Sequence, residues 1–298
     1  MLHFKYFVMR IPGIGRINKK LSSYFGNSSK SKFEKFIRTK DFGDELKKKL
    51  RSKVPVNLDL VTFADSKSFP DLLLSMLSFI SSVGLPAKWT IYMDDEFSAE
   101  QKNIFDAFEF IVCKYWFENV PDQDRGRYNS RWQYRKYLSF STHAITKTTV
   151  FLDSDVLFYE AFNKYKEYVK ESNWYLPEPI VAFSIDDEII GRNEYKPNMF
   201  IVNAGFMIIN QMPPWDLGLQ YLDECFSNNS KRYFIDQSAL NIVYANDSSA
   251  KILDPRVFHI STVDHFKLGF LKTNDLAIRH YVGLIRFKMW QSGWRKFI

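Results

Sequence analysis

The 298-residue chain is expected to fold as an α/β protein, with a mostly parallel central sheet and helices on both faces. Three observations predict this. Short apolar runs alternate with segments of helical periodicity from residue 56 to about 160, in the order strand, helix, strand, helix, strand, helix, strand. Hydrophobic residues make up 46% of the chain and aromatics 17%, enough to fill a large core and to exclude global disorder. Five acids, Asp65, Asp94, Asp95, Asp153 and Asp155, fall at the expected carboxyl ends of strands, outside which ligands bind in such sheets.

The elements follow in order. VNLDLVTFA (56–64) is a continuous apolar run and reads as the first strand. The polar turn Asp65–Ser68 leads into FPDLLLSMLSFISSVG (69–84), with helical apolar spacing and a glycine stop. KWTIYMDD (88–95) is the second strand. SAEQKNIFDAFEF (98–110) reads as a helix with Ser98 as N-cap, and FIVCKYW (110–116) as the third strand. Residues 128–145 read as a helix carrying Arg131, Arg135 and Lys136. TTVFLDSDVLF (148–158) is the fourth strand and its exit. Beyond residue 160 the pattern is mixed. IVAFSID (180–186) and FIVNAGFMIIN (200–210) read as strands, WDLGLQYLDECF (215–226) and DQSALNIVYA (236–245) as helices, and KILDPRVFHI and LAIRHYVG as short late strands.

The first 55 residues read as a basic extension and 56–298 as a single body. Residues 1–56 hold 15 Lys+Arg against 4 Asp+Glu, a net of +11, whereas the remainder holds 26 against 30, a net of −4. Residues 30–51 are expected to form one or two short helices. The C-terminus, RFKMWQSGWRKFI, mixes four cations with four aromatics. Such segments suit an anionic membrane surface, and equally a solvated basic helix with a packed tail. No nucleic-acid motif accompanies the charge, so no nucleic acid is expected as partner. No run of about 18 apolar residues is present, and the start lacks the apolar stretch and cleavage site of a signal peptide. Cys113 and Cys225 are the only cysteines, too few for a disulfide framework or a zinc cluster. A cytoplasmic location is expected, or a peripheral one on the cytoplasmic face of a membrane. The sequons at Asn27, Asn228 and Asn246 are then chance matches.

Asp153-Ser154-Asp155 carries the chemistry. Two carboxylates one residue apart repel, and burying either alone is expensive. Oxygen ligands on a turn suit Mn²⁺ or Mg²⁺, which keep open positions for substrate phosphates. A haloacid-dehalogenase-type phosphatase also places D-x-D after an apolar strand, with the first Asp as nucleophile. There the pair follows the first core strand, whereas here about three strand–helix units precede it, and Leu157 stands where Thr or Val is usual.

The ordered set FLDSDVLF (151–158), IVAFSIDD (180–187), VNAGFMIIN (202–210), DQSALN (236–241) and HYVG (280–283) resembles the GT-A glycosyltransferases. Over residues 57–290 it is most similar to glycosyltransferase family 8, which includes glycogenin and bacterial lipopolysaccharide galactosyl- and glucosyltransferases. The resemblance implies a Rossmann-like nucleotide-diphospho-sugar transferase fold. It implies that Asp153 and Asp155 hold Mn²⁺ on the donor diphosphate with His280 as third ligand, Gly283 being the glycine of that late motif. Arg286 stands where the family has lysine, with Lys288 nearby, and either would contact the diphosphate; the family's Lys-Pro-Trp ending is absent. Asn203, Ala204 and Gly205 would line the sugar site, Asp236 and Gln237 would lie beside the anomeric carbon, and Asp186 would bind sugar hydroxyls. Thr62, Ala64 and Asp65 would meet base and ribose, and Arg131 and Lys136 would offer a basic donor contact.

The implied activity is metal-dependent transfer of a hexose from a nucleotide sugar, UDP-linked, to a hydroxyl acceptor, with retention. The acceptor would be a glycan or a lipid-linked precursor, in cell-surface glycan or lipopolysaccharide synthesis. If a nucleophile acts, Gln237 or Asp236 is nearest, and a front-face route needs neither. A non-catalytic nucleotide-sugar-binding scaffold is the alternative of a different class.

Overall fold

The computed structural model describes residues 14–118, 120, 125–126, 129, 131–165, 170–178, 201–227, 235–261, 275–282, 286–291 and 293–298, with side chains from residue 23 onward. The strand expected at 180–186 lies outside the described residues.

Among the described residues seven strands form the central sheet: β1 (Pro55–Ala64), β2 (Leu85–Met93), β3 (Ile111–Tyr115), β4 (Thr149–Leu152), β6 (Asn173–Pro177), β7 (Val202–Ile209) and β8 (Ala250–Ile252). Their order is β3-β2-β1-β4-β7-β6-β8. β1 pairs in parallel with β2 and β4, β2 with β3, and β6 with β8; β7 runs antiparallel to both β4 and β6. A second, three-stranded sheet has the order β5 (Val156–Phe158), β10 (Ile278–His280), β9 (Phe258–Ile260). The acid pair lies at the end of β4 as expected, and the exit from that strand is itself a strand, β5, in the second sheet.

β1, β4 and β7 are mostly apolar on both sides because both faces of the sheet are covered. Side chains alternate across a strand. Leu60, Val150, Leu152, Phe206 and Ile208 enter one core together with the Phe69–Ser82 helix. Val61, Phe63, Phe151, Met207 and Ile209 enter the other, against the helices Trp132–Ser141, Trp215–Ser227 and Ile235–Asn246. The Phe69–Ser82 helix is followed by Gly84 at φ +137°, where a Cβ would overlap the Val54 carbonyl oxygen, so the turn into β2 needs glycine. Ser98 caps the Ala99–Phe105 helix as expected, in a capping box with Gln101.

The N-terminal segment is more helical than expected. It forms the helices Ile14–Phe36 and Lys40–Ser52, with the Thr39 side chain capping the second by accepting from Phe42 N. Phe33, Ile37, Phe42 and Leu46 are buried in the same core as Leu72, Leu77, Trp290, Trp294 and Phe297. Phe33 lies 5.2 Å from the Trp290 ring and 5.4 Å from the Trp294 ring, centroid to centroid. Buried Asp71 joins the two ends of the chain: Lys30 Nζ is 3.0 Å away and Trp290 Nε1 donates at 2.7 Å. Among the described residues no helix is long and apolar enough to cross a membrane.

Candidate active site

The break after β4 builds the site. Leu152 ends the central sheet, Asp153 N donates to Gly205 O on β7 at 2.9 Å, and the chain then enters β5. β5 pairs antiparallel with β10, His280 standing opposite Val156. Tyr281 N donates to Asp155 O at 3.0 Å. This register seats His280 beside Asp155 although 125 residues separate them.

His280 Nε2 lies 3.1 Å from Asp155 Oδ1 and 3.7 Å from Asp153 Oδ2. The shorter approach is poorly directed for a hydrogen bond, so Asp155 Oδ1 is buried without a hydrogen-bond partner, as is His280 Nδ1. Asp155 and His280 are only 1% and 2% exposed. Burial works against the Asp155 charge, but Arg286 and then His280 outweigh it, holding the carboxyl at about 2. Arg286 does this through two hydrogen bonds to Asp155 Oδ2, from Nε at 2.8 Å and from Nη2 at 2.7 Å.

Lys136 projects from the Trp132–Ser141 helix to the other acid. Its ammonium is 2.6 Å from Asp153 Oδ1 and 3.8 Å from Asp236 Oδ2, and the residue is 4% exposed. Burial disfavours this charge, yet Asp153 and Asp236 more than offset it, so the lysine pKa is raised. The Asp236 pKa is raised mainly by burial, with Lys136 opposing.

Asp153, Asp155 and His280 each offer a ligand atom, all within 4.8 Å of one another. Adjacent ligands of an octahedral ion with bonds near 2.1 Å sit about 3 Å apart, so the 3.1 and 3.7 Å separations are close to that arrangement. The orphaned, ionised Asp155 Oδ1 is the atom such an ion would satisfy. Gly205 leaves room for the imidazole: a Cβ there would stand 2.7 Å from both ring nitrogens. The three residues therefore fit a divalent cation. Three carboxylates (Asp153, Asp155, Asp236) against two cations (Lys136, Arg286) leave one negative charge, which a divalent ion would reverse in sign.

A cavity of about 210 Å³ opens over this cluster. It is lined by Lys136, Asp153, Ser154 and Arg286 together with Phe63, Ala64, Asp65, Ser68, Asp94 and Trp132. Asp65 lies just beyond β1, where its carboxylate accepts from Ser68 N at 2.8 Å. Asp94, beyond β2, is gripped by Arg135 through Nε and, at 2.9 Å, Nη2.

Not every candidate lies at the cavity. Thr62 does not: it is fully buried, and its hydroxyl accepts from Trp89 Nε1 at 3.0 Å. Arg131 is the N-cap residue of the helix that carries Lys136, and Lys288 is partly buried on the Phe287–Gln291 helix; neither lines the cavity. Ala204 sits with Lys136 and Asp236 around a smaller void. Asn203 orders the backbone, its Oδ1 accepting from Gly205 N at 2.8 Å and its Nδ2 donating to Glu178 at 2.7 Å and to Gln237 Oε1 at 3.3 Å. Asp186 and Gly283 lie outside the described residues. Sequence reasoning missed Trp132 as part of the cavity wall and gave no role to Asp94, which also lines it and is held by Arg135. It also missed Asn241, which clamps Val202 by donating to its carbonyl at 2.9 Å and accepting from its N–H at 2.8 Å. Asn241 had a signal, since it stands one helical turn after Gln237; Glu178 had none.

No protein-family model matches the chain, and no curated protein matches it in sequence. Solved structures match it in fold. The galactosyltransferase LgtC, determined with donor and acceptor sugar analogues, aligns with a TM-score of 0.51 at 15% identity, over 80% of this chain and 100% of its own. The glycosyltransferase GlyE of Streptococcus pneumoniae TIGR4 aligns with a TM-score of 0.52 at 13% identity, over 81% of this chain and 62% of its own. The chain has the GT-A fold of these proteins, a mixed α/β sheet flanked by helices. The phosphatase alternative is not favoured, because the acid pair follows the fourth strand rather than the first.

Proposed function

We propose that this GT-A chain is a glycosyltransferase that moves a hexose from a nucleotide sugar, UDP-linked, to a hydroxyl acceptor. One observation carries the reading: Asp153, which lines the cavity with Lys136 and Arg286, meets buried Asp155 and His280 directly behind it. Two acids and an imidazole suit a divalent cation, Mn²⁺ or Mg²⁺, and two lysine or arginine side chains beside it suit a diphosphate. When bound, that cation would supply Lewis-acid stabilisation to the departing nucleoside diphosphate.

The chain's own residues do the rest. Arg286, partly exposed, meets a diphosphate oxygen while its other face stays on Asp155. Lys136 is held charged and immobile between Asp153 and Asp236, so it offers positive charge where negative charge develops on the leaving group. Asn203 and Gln237, tied to each other, order the hexose end. Asp236 is buried and paired with Lys136, which suits a charge-positioning role, and this supports a retaining front-face route in which the leaving phosphate oxygen accepts the acceptor's proton. A lipid-linked or cell-surface glycan precursor on the cytoplasmic face of a membrane is the proposed acceptor, supported by the exposed Tyr24, Phe25, Lys32 and Lys35 of the N-terminal helix.

Donor hydrolysis tests the reading. Slow release of UDP from a UDP-hexose, dependent on Mn²⁺ and abolished by Asp155→Ala, is expected. Metal-dependent binding without release in any hexose donor would instead identify a scaffold, and release of phosphate from an aryl phosphate would revive the phosphatase.

A further inference from the structure

We propose that Trp132 is the platform on which the nucleobase of the donor stacks, an inference that rests on the donor reading above. Of the seven tryptophans, Trp132 is the exposed one, at 42%. Nothing in the core requires it there: the residues of its helix that pack inward are Tyr134, Tyr137, Leu138 and Phe140. It stands in the first turn, four residues before Lys136 and so on the same helical face. The Lys136 ammonium lies 6.0 Å from the centroid of its ring. The indole is therefore aimed at the cavity, at a fixed separation from the cation that faces Asp153.

The cavity has two chemistries. Lys136, Asp153 and Arg286 make the part suited to phosphate and metal. Phe63, Ala64, Asp65, Asp94 and Trp132 make a part with apolar and aromatic surface beside two carboxylates. A nucleoside diphosphate has the same division: an anionic end, ribose hydroxyls that donate to carboxylates, and a planar base. A base gains affinity by stacking on an aromatic face whatever its sequence identity. A hexose could also lie on an indole, but Asn203 and Gln237, the groups attributed to the hexose, do not line this cavity. That places the ring at the nucleoside end.

The test is calorimetric titration of the full-length protein, in Mn²⁺, with UDP, GDP and a UDP-hexose, comparing wild type with Trp132→Ala and Trp132→Phe. Trp132→Ala is expected to weaken the preferred nucleoside diphosphate and its hexose conjugate by the same factor, about ten-fold. Trp132→Phe should retain most of the affinity, and both variants should melt with the wild type because the side chain is exposed. Unchanged diphosphate affinity in Trp132→Ala overturns the stacking alone. Weakening confined to the hexose conjugate also overturns it, placing the ring under the sugar. A wild type that binds no nucleoside diphosphate with Mn²⁺ overturns the donor reading and this inference together.

Discussion

Gly205 on β7 and His280 on β10 touch so closely that no side chain fits between them: a Cβ on Gly205 would lie 2.7 Å from both His280 ring nitrogens. The glycine is thus a steric condition for the imidazole to face Asp153 and Asp155. Gly205→Ala is expected to swing His280 away and to lower Mn²⁺ affinity by ten-fold or more, with the circular dichroism spectrum unchanged. The rise of melting temperature with added Mn²⁺ reads this directly. Wild-type Mn²⁺ stabilisation in the alanine variant would detach the contact from metal holding.

Lys136 is the counter-charge of two buried or half-buried acids. Lys136→Met keeps its volume and removes the charge, leaving Asp153 and Asp236 unpaired. A loss of about 3 kcal/mol at pH 7 is expected. The penalty should shrink at pH 5, because the variant can relieve it by protonating Asp236, whose pKa is raised already in the wild type. Urea midpoints at the two pH values check both statements, and an equal deficit at each would deny Asp236 this role.

The parts of the fold legible in the sequence are those fixed by local physics. β1, β4 and β7 were legible because strands covered on both faces are mostly apolar, and the Phe69–Ser82 helix because its spacing and terminal glycine agree. The placement of Asp153 and Asp155 at a strand end follows from the same reasoning. What spacing cannot show is which distant segment meets them. His280 reaches the acids through one β5–β10 register, and only the ordered resemblance pointed to it. Trp132 gives no signal of its own, because an exposed aromatic on a basic helix reads as surface until the cavity beside it is known. The N-terminal helices were underestimated because Phe33, Ile37, Phe42 and Leu46 are spread among lysines, and their burial depends on a C-terminal partner some 250 residues away.

His143 sets an acid limit that is independent of the active site. It is buried, 3.1 Å from the Tyr92 hydroxyl through Nδ1, and burial lowers its pKa to about 4 from 6.5. The folded state holds it neutral while the unfolded chain takes up a proton below about 6.5. Its contribution is therefore complete above pH 6.5 and lost as pH falls from 6.5 to 4, by about 3 kcal/mol in all. His143→Gln, which does not titrate, is expected to lose less stability across that window than the wild type. Parallel urea titrations between pH 7 and 4 with coincident slopes for the two proteins would exclude this residue as the cause.

The proposed membrane-facing role of the N-terminal helix needs a test that respects the packing. Removing residues 1–55 would strip Phe33, Phe42 and Leu46 from the core and leave Asp71 without Lys30, so lost liposome binding in a truncated chain would report unfolding. Phe33→Ala alone is expected to cost about 3–5 kcal/mol. The exposed side chains are the ones to change. Tyr24 and Phe25 are 69% and 61% exposed on the Ile14–Phe36 helix, and Lys32 and Lys35 stand exposed on the same helix. Aromatic side chains insert at the headgroup level, and each lysine near an anionic surface adds about 1 kcal/mol. Full-length protein is therefore expected to float with phosphatidylglycerol vesicles at low salt and to be released at high salt. Lys32→Glu/Lys35→Glu should reduce flotation strongly, and Tyr24→Ser/Phe25→Ser should reduce it while leaving the salt response, with melting temperatures close to wild type in both. Binding that ignores salt and both double variants would place the attachment elsewhere, and no binding by the wild type would remove the membrane from the proposed function.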